Sequence, residues 1–165
     1  MEPLASYLPF KRPTPFNPSS ANSTEGGGAA IQERVEPAPQ KRFMAGNRRA
    51  KILIVEDDHG LRTALKERLT HDGCEVTEAA DGVSARWSLL SCHYDGVIMD
   101  LSLPSSSGVE VMRDVSRSKS LPPILVLTGS EAEDRDEARS EGATFVLKKP
   151  APYSVLADTL ERLLG

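Results

Sequence analysis

A doubly wound α/β fold, five parallel strands flanked by five helices, is what the sequence predicts from residue 51 onward, and three observations predict it. Short runs of Val, Ile and Leu, apolar at nearly every position, stand at Ile52–Val55, Val97–Met99 and Ile124–Leu127. A strand covered on both faces of a parallel sheet has that composition. Between the runs, leucines and valines recur every four residues, the spacing of a helix face built for packing. Finally, strand-like and helix-like stretches alternate throughout, which leads to a parallel sheet with right-handed crossovers.

The first strand, Ile52–Val55, ends in Glu56, Asp57 and Asp58. Leu61, Leu65 and Leu69 then mark the first helix, and Gly73 stands where it stops. The second strand is the weaker run Cys74–Ala79. Asp81, before Gly82 and Val83, reads as the N-cap of the second helix, where Trp87 takes a core or surface-packing role ahead of the alternative of a partner anchor. Val97–Met99 forms the third strand and ends in Asp100; Val111 and Val115 mark the third helix. Ile124–Leu127 forms the fourth strand and ends in Thr128; Gly142 stops the helix after it. The fifth strand, Thr144–Leu147, is again weaker and ends in Lys148, Lys149 and Pro150, before a last helix marked by Leu156 and Leu160. Tyr94 and Tyr153 read as packing residues. No output domain is expected after that helix.

Residues 1–48 differ in kind. Prolines at 3, 9, 13, 15, 18, 37 and 39 and the triplet Gly26, Gly27, Gly28 lie among Ser, Asn and scattered charge. Such a segment buries too little apolar surface to offset its ordering entropy, so it is expected to be a disordered tail before a domain at 49–165. Phe10, Phe16 and Phe43 read as inert tail aromatics rather than docking points, and Lys41, Arg42, Arg48, Arg49 and Lys51 as a solvated linker.

Residues 1–50 carry seven Lys or Arg against four acids, and residues 51–165 thirteen against twenty. A domain that acidic gives no reason to expect nucleic-acid binding, which rests on neutralising phosphates with Lys and Arg. Cys74 and Cys92 lack the spacing of a zinc or redox motif and read as free thiols in a reducing compartment. Neither a signal peptide nor a membrane span is visible, so a cytoplasmic protein is expected.

In an open α/β sheet a ligand sits beyond the carboxyl ends of the strands. Here those ends gather the acids after the first strand, Asp100, Thr128 and the Lys148–Lys149 pair on one rim. Clustered carboxylates raise one another's pKa unless a cation intervenes. Mg²⁺, a hard ion that takes oxygen ligands and keeps exchangeable waters, suits such a pocket together with a phosphoryl group. Lys149 would offset the remaining negative charge.

These residues resemble the receiver domains of bacterial two-component response regulators, of the single-domain chemotaxis-regulator type, over 51–164. The stretches that carry the likeness run from Ile52 to Asp58 (ILIVEDD), from Asp95 to Pro104 (DGVIMDLSLP) with Gly108, from Ile124 to Gly129 (ILVLTG) and from Gly142 to Pro150 (GATFVLKKP). The resemblance implies the flavodoxin-like strand order 2-1-3-4-5. It further implies Asp100 as phosphoacceptor, Thr128 as the hydroxyl that bonds the phosphoryl group, and Lys149 as its charge partner, with Lys148 a decoy. Mg²⁺ would be held by Asp57, Asp100 and the backbone carbonyl of Ser102, with Glu56 acting through water and Asp58 a bystander.

Asp100 would take a phosphoryl group from a phosphohistidine of a sensor histidine kinase or phosphotransfer protein. The chain would assist its own phosphorylation and dephosphorylation without being an enzyme. It would signal to a protein target through the face of the fourth helix, fifth strand and fifth helix. In the family an aromatic on the fifth strand follows the Thr inward; here that position is Val146. Phe145, one place earlier, points to the opposite face, so a weaker or differently routed switch is expected. Gly129 either leaves space for the phosphoryl group or serves as a turn glycine, and Ser102 and Ser130 border the site. Two alternatives remain: a pseudo-receiver that binds partners without phosphorylation, and a phosphate sink or relay intermediate.

Overall fold

The computed structural model describes residues 43–165; the readings of Phe10, Phe16, Lys41 and Arg42 lie outside the described residues. Two short strands, β1 (Met44–Ala45) and β2 (Arg48–Arg49), form an antiparallel hairpin. The main sheet follows: β3 (Lys51–Val55), α1 (His59–His71), β4 (Glu75–Ala79), α2 (Gly82–Ser91), β5 (Gly96–Met99), α3 (Gly108–Ser116), β6 (Ile124–Thr128), α4 (Ala132–Ser140), β7 (Phe145–Lys148) and α5 (Tyr153–Leu164). All five predicted strands are present. Their order is β4-β3-β5-β6-β7, every neighbouring pair parallel, which is the order 2-1-3-4-5 of a doubly wound sheet.

The central strands β3, β5 and β6 are buried along almost their whole length, as their unbroken apolar runs require. β4 and β7 are edge strands and only partly covered, which is why their sequence signals are weaker. One apolar layer joins Leu53, Val97 and Val126 to Ala85 and Leu89 of α2, Val111 and Val115 of α3, and Ala138 of α4. The other joins Ile52, Ile54 and Leu125 to Leu65 and Leu69 of α1 and Leu156 and Leu160 of α5. Alternate residues of each strand therefore feed opposite cores.

The helix ends follow local chemistry. Asp81 caps α2, its side chain accepting from Ser84 N at 2.7 Å within a capping box. Gly73 and Gly142 follow α1 and α4 with φ of +100° and +108°, a conformation only glycine adopts without strain. Asp58, expected to be a bystander, caps α1 by accepting from Leu61 N at 2.7 Å.

Three expectations are corrected. Composition assigns residues 43–48 to the tail, but Phe43 is 4 % exposed and packs with Leu65, Leu69 and Leu163 in one core. Its backbone N–H donates to Asp72 O, and its carbonyl accepts from Ala50 N, so the chain is folded from Phe43 onward. Arg48, though exposed, is no linker residue: its guanidinium holds both oxygens of Asp95 at 2.7 Å, clasping the hairpin to the loop before β5. Lys51 lies against Glu75. Finally, Trp87 is not a core residue: it is 72 % exposed, in line with exposed Val83 and Leu90 on the outer face of α2. Tyr94 and Tyr153 are partly buried against the two cores as expected. Among the described residues no helix is long and apolar enough to cross a membrane.

Candidate functional site

Strand register builds the site. Val55 and Met99 are partners across β3 and β5, so Glu56 and Asp100 leave the sheet side by side, Glu56 N bonded to Ala79 O and Asp100 N to Val55 O. Thr128 ends β6, and its carbonyl accepts from Lys149 N at 2.9 Å, which fixes Lys149 at the same edge. Glu56 (3 % exposed), Asp100 (6 %) and Thr128 (0 %) are the only buried polar or charged residues among those described, and all three stand at carboxyl ends of strands. Such groups persist in a core only when paired.

Lys149 supplies the pairing. Its Nζ lies 2.7 Å from Glu56 Oε2 and 2.6 Å from Asp100 Oδ2, bridging β3 and β5 from the end of β7. Lys148 is exposed. Burial pushes the Glu56 carboxyl above its ordinary range, with Lys149 opposing. Burial presses the Lys149 ammonium the other way, but Asp100 and Glu56 outweigh it and the net shift is upward. The lysine is thus held charged.

Asp57 projects outward beside the pair. One carboxylate oxygen from each of Glu56, Asp57 and Asp100 lies within 4.8 Å of the other two. Three carboxylates against one ammonium leave an excess of negative charge, and the donors are all hard oxygens, so the residues fit Mg²⁺. Sequence reasoning missed the support beneath them. Arg62 of α1 donates to the carbonyls of Glu56 and Asp57 at 2.6 and 3.1 Å, fixing the acidic turn. A basic residue four to six places after an acidic strand end was the available signal.

A line of hydroxyls borders Asp100. Ser102 N donates to Asp100 Oδ1 at 3.1 Å, Ser102 Oγ lies 3.0 Å from Ser130 Oγ, and Thr128 Oγ1 donates to Ser130 Oγ at 3.1 Å. A Cβ at Gly129 would meet nothing within 4 Å, so there is open space beside Thr128. At Gly108, by contrast, a Cβ would fall 2.5 Å from the Asp100 carbonyl, and only glycine lets α3 start this close to the Asp100 loop. Phe145 packs with the α1 and α5 core and Val146 with the α2, α3 and α4 core, so they occupy opposite faces.

A doubly wound sheet of order 2-1-3-4-5 whose crest holds an acid cluster clasped by a lysine from its last strand defines a receiver domain of a two-component response regulator. The model of the response regulator receiver domain matches residues 52–161, and the chain belongs to that family. It is 33% identical over 114 residues to the response regulator ArlR of Staphylococcus aureus. That match covers 69% of this chain and 52% of ArlR, so the chain spans about half the length of the curated relative. Among solved structures it resembles the chemotaxis protein CheY4 of Vibrio cholerae, with 35% identity and a TM-score of 0.63 over 70% of this chain and 99% of that one. It also resembles the response regulator protein TrrA of Thermotoga maritima in complex with Mg²⁺-BeF, with 30% identity and a TM-score of 0.63 over 70% and 99%. Receiver domains work with histidine kinases and downstream targets, and bind Mg²⁺ at an acidic site.

Proposed function

We propose that this chain is a phosphoacceptor in a two-component phosphorelay, with Asp100 the residue modified. The observation that carries the reading is the buried Asp100 carboxylate beside Glu56, bridged to it by Lys149. An Asp100 oxygen attacks the phosphorus of a phosphohistidine on a kinase or phosphotransfer protein; a P–O bond forms, the P–N bond breaks, and its electron pair returns to the imidazole. Little covalent chemistry is left to the protein beyond positioning and charge stabilisation. Lys149 pairs with a phosphoryl oxygen while holding Asp100 in place, and Thr128 donates its hydroxyl proton to another. Glu56, Asp57, Asp100 and the Ser102 carbonyl would hold Mg²⁺, which when bound screens the charge spread over the transferring oxygens.

On this reading the chain is substrate and assistant of the transfer rather than an enzyme. It works in the cytoplasm, without contacting nucleic acid, through a protein target recognised at the face of α4, β7 and α5. The TrrA structure, solved with Mg²⁺-BeF, supports an acidic site of this kind taking metal and a phosphoryl-like group together. The test is intact mass after incubation with Mg²⁺ and a small phosphodonor such as acetyl phosphate. One phosphoryl group per chain is expected, absent from Asp100→Asn. A wild-type chain that gains nothing overturns the reading and leaves a pseudo-receiver.

A further inference from the structure

Of the five large apolar side chains exposed among the described residues, three stand on the outer face of α2. Val83, Trp87 and Leu90, spaced for one side of a helix, are 64%, 72% and 44% exposed. An aromatic anchor between aliphatic neighbours is the composition of an interface centre. The face is also almost without charge. Arg86 is the single charged residue of α2, and its guanidinium is paired with Asp114 of α3 at 2.8 Å. Each other helix of the main sheet carries at least three charged residues.

The two ends of this stripe bear opposite signs. Val83 and Trp87 share a shallow groove with Asp81 and Pro104, and the hydrogen bond from Ser84 N holds the Asp81 carboxyl below its usual range, so it stays ionised. Leu90 shares a second groove with Cys92 and Lys119, whose ammonium donates to the Cys92 carbonyl at 3.2 Å. An acid at one end, an indole halfway along and an ammonium at the other make a patch that matches itself turned end for end. A two-fold axis sets a patch against its own copy in that way.

We infer that the outer face of α2 is a self-association surface, on which a second copy of this chain packs antiparallel across Trp87, with Asp81 of each copy toward Lys119 of the other. The charge of the domain selects this occupant. Residues 51–165 carry thirteen bases against twenty acids, so two copies repel wherever acidic faces meet. On α2 that repulsion is least, and the end-for-end arrangement puts attraction at both ends of the contact. The antiparallel helix dipoles add to it. β4 and β7 are opposite edges of the sheet; α2 packs at the first and α4 at the second, so a pair joined through α2 keeps the face of α4, β7 and α5 open. A contact along one ten-residue helix, about 15 Å long, stays below the roughly 1,200 Å² of a stable pair. The dimer is therefore weak: the dilute chain is single, with Trp87 in water, and pairing grows with concentration. None of this depends on the chemistry of Asp100.

The test is sedimentation velocity of the full chain from dilute to concentrated solution, with melting temperature by circular dichroism measured on each variant when dilute. The wild type is expected to move from the mass of one chain toward that of two. Trp87→Ser, at a side chain that holds no core together, keeps the melting temperature and weakens pairing by about tenfold or more. Trp87→Phe retains most of it, and Lys119→Glu, which sets two acids against each other, weakens it without touching the stripe. A wild type that stays single at every concentration overturns the proposal and leaves the stripe to a different protein. Pairing undiminished in Trp87→Ser places the contact elsewhere and overturns it too, and pairing undiminished in Lys119→Glu overturns the end-for-end arrangement.

Discussion

Lys149 is the residue whose removal separates architecture from chemistry. Among the described residues its ammonium is the only cation that bridges Glu56 and Asp100, whose side chains are 4% and 7% exposed. Removing one partner from a buried ion pair strands the other charge and costs about 3–5 kcal/mol. Because the Lys149 side chain is itself 24% exposed, water relieves part of this, and Lys149→Met is expected at the low end, about 3 kcal/mol at neutral pH. Urea denaturation measures it. Added Mg²⁺, a second source of positive charge for the same carboxylates, is expected to raise the variant's midpoint more than the wild type's. Equal shifts would show that the carboxylates do not share the two cations.

At the scale of elements, the β1–β2 hairpin and the loop before β5 are joined by one ion pair that titrates. Arg48, ahead of the Lys51 N–H, holds the Asp95 carboxyl below the usual carboxylate range. The folded state therefore binds this proton less readily than the unfolded chain does. Its stabilisation is present above the unfolded value of about 3.9 and is lost as pH falls through the lower folded value. The gap in urea midpoint between wild type and Asp95→Asn is expected to be open at pH near 7 and to close toward pH near 3. A constant gap would assign it to packing instead. This hairpin was not legible in the sequence. Phe43 is a lone aromatic after two basic residues, and its burial is decided by contacts with α1 and α5 that no local pattern around it announces. Three of the five strands were plainly legible because the runs Ile52–Val55, Val97–Met99 and Ile124–Leu127 within them are apolar at every position.

For the whole molecule, the two cores separate the two thiols. Cys74 is buried beside Leu69, and burial, reinforced by Asp72, pushes its pKa up to about 12; Cys92 is exposed at the end of α2. A thiol-specific reagent near neutral pH should label Cys92 quickly and Cys74 only on unfolding, since the thiolate is the nucleophile. Two equally fast thiols would mean that the α1–β4 turn opens readily. The rim that gathers Glu56, Asp100, Thr128 and Lys149 was legible because chemistry at strand ends converges by topology alone. Trp87 was not: α2 carries apolar residues on two faces, Ala85 and Leu89 inward and Val83, Trp87 and Leu90 outward. Periodicity cannot choose between two such faces.

That outward indole is the only tryptophan in the chain, and it stands in water. Its emission is accordingly expected to be red-shifted already in the native protein, leaving little room for the further red shift that usually accompanies unfolding. Melting curves followed by tryptophan fluorescence will look flat for a molecule that is nonetheless folding cooperatively. The same emission turns blue when anything settles on α2, so the protein carries an optical label for contacts at that helix.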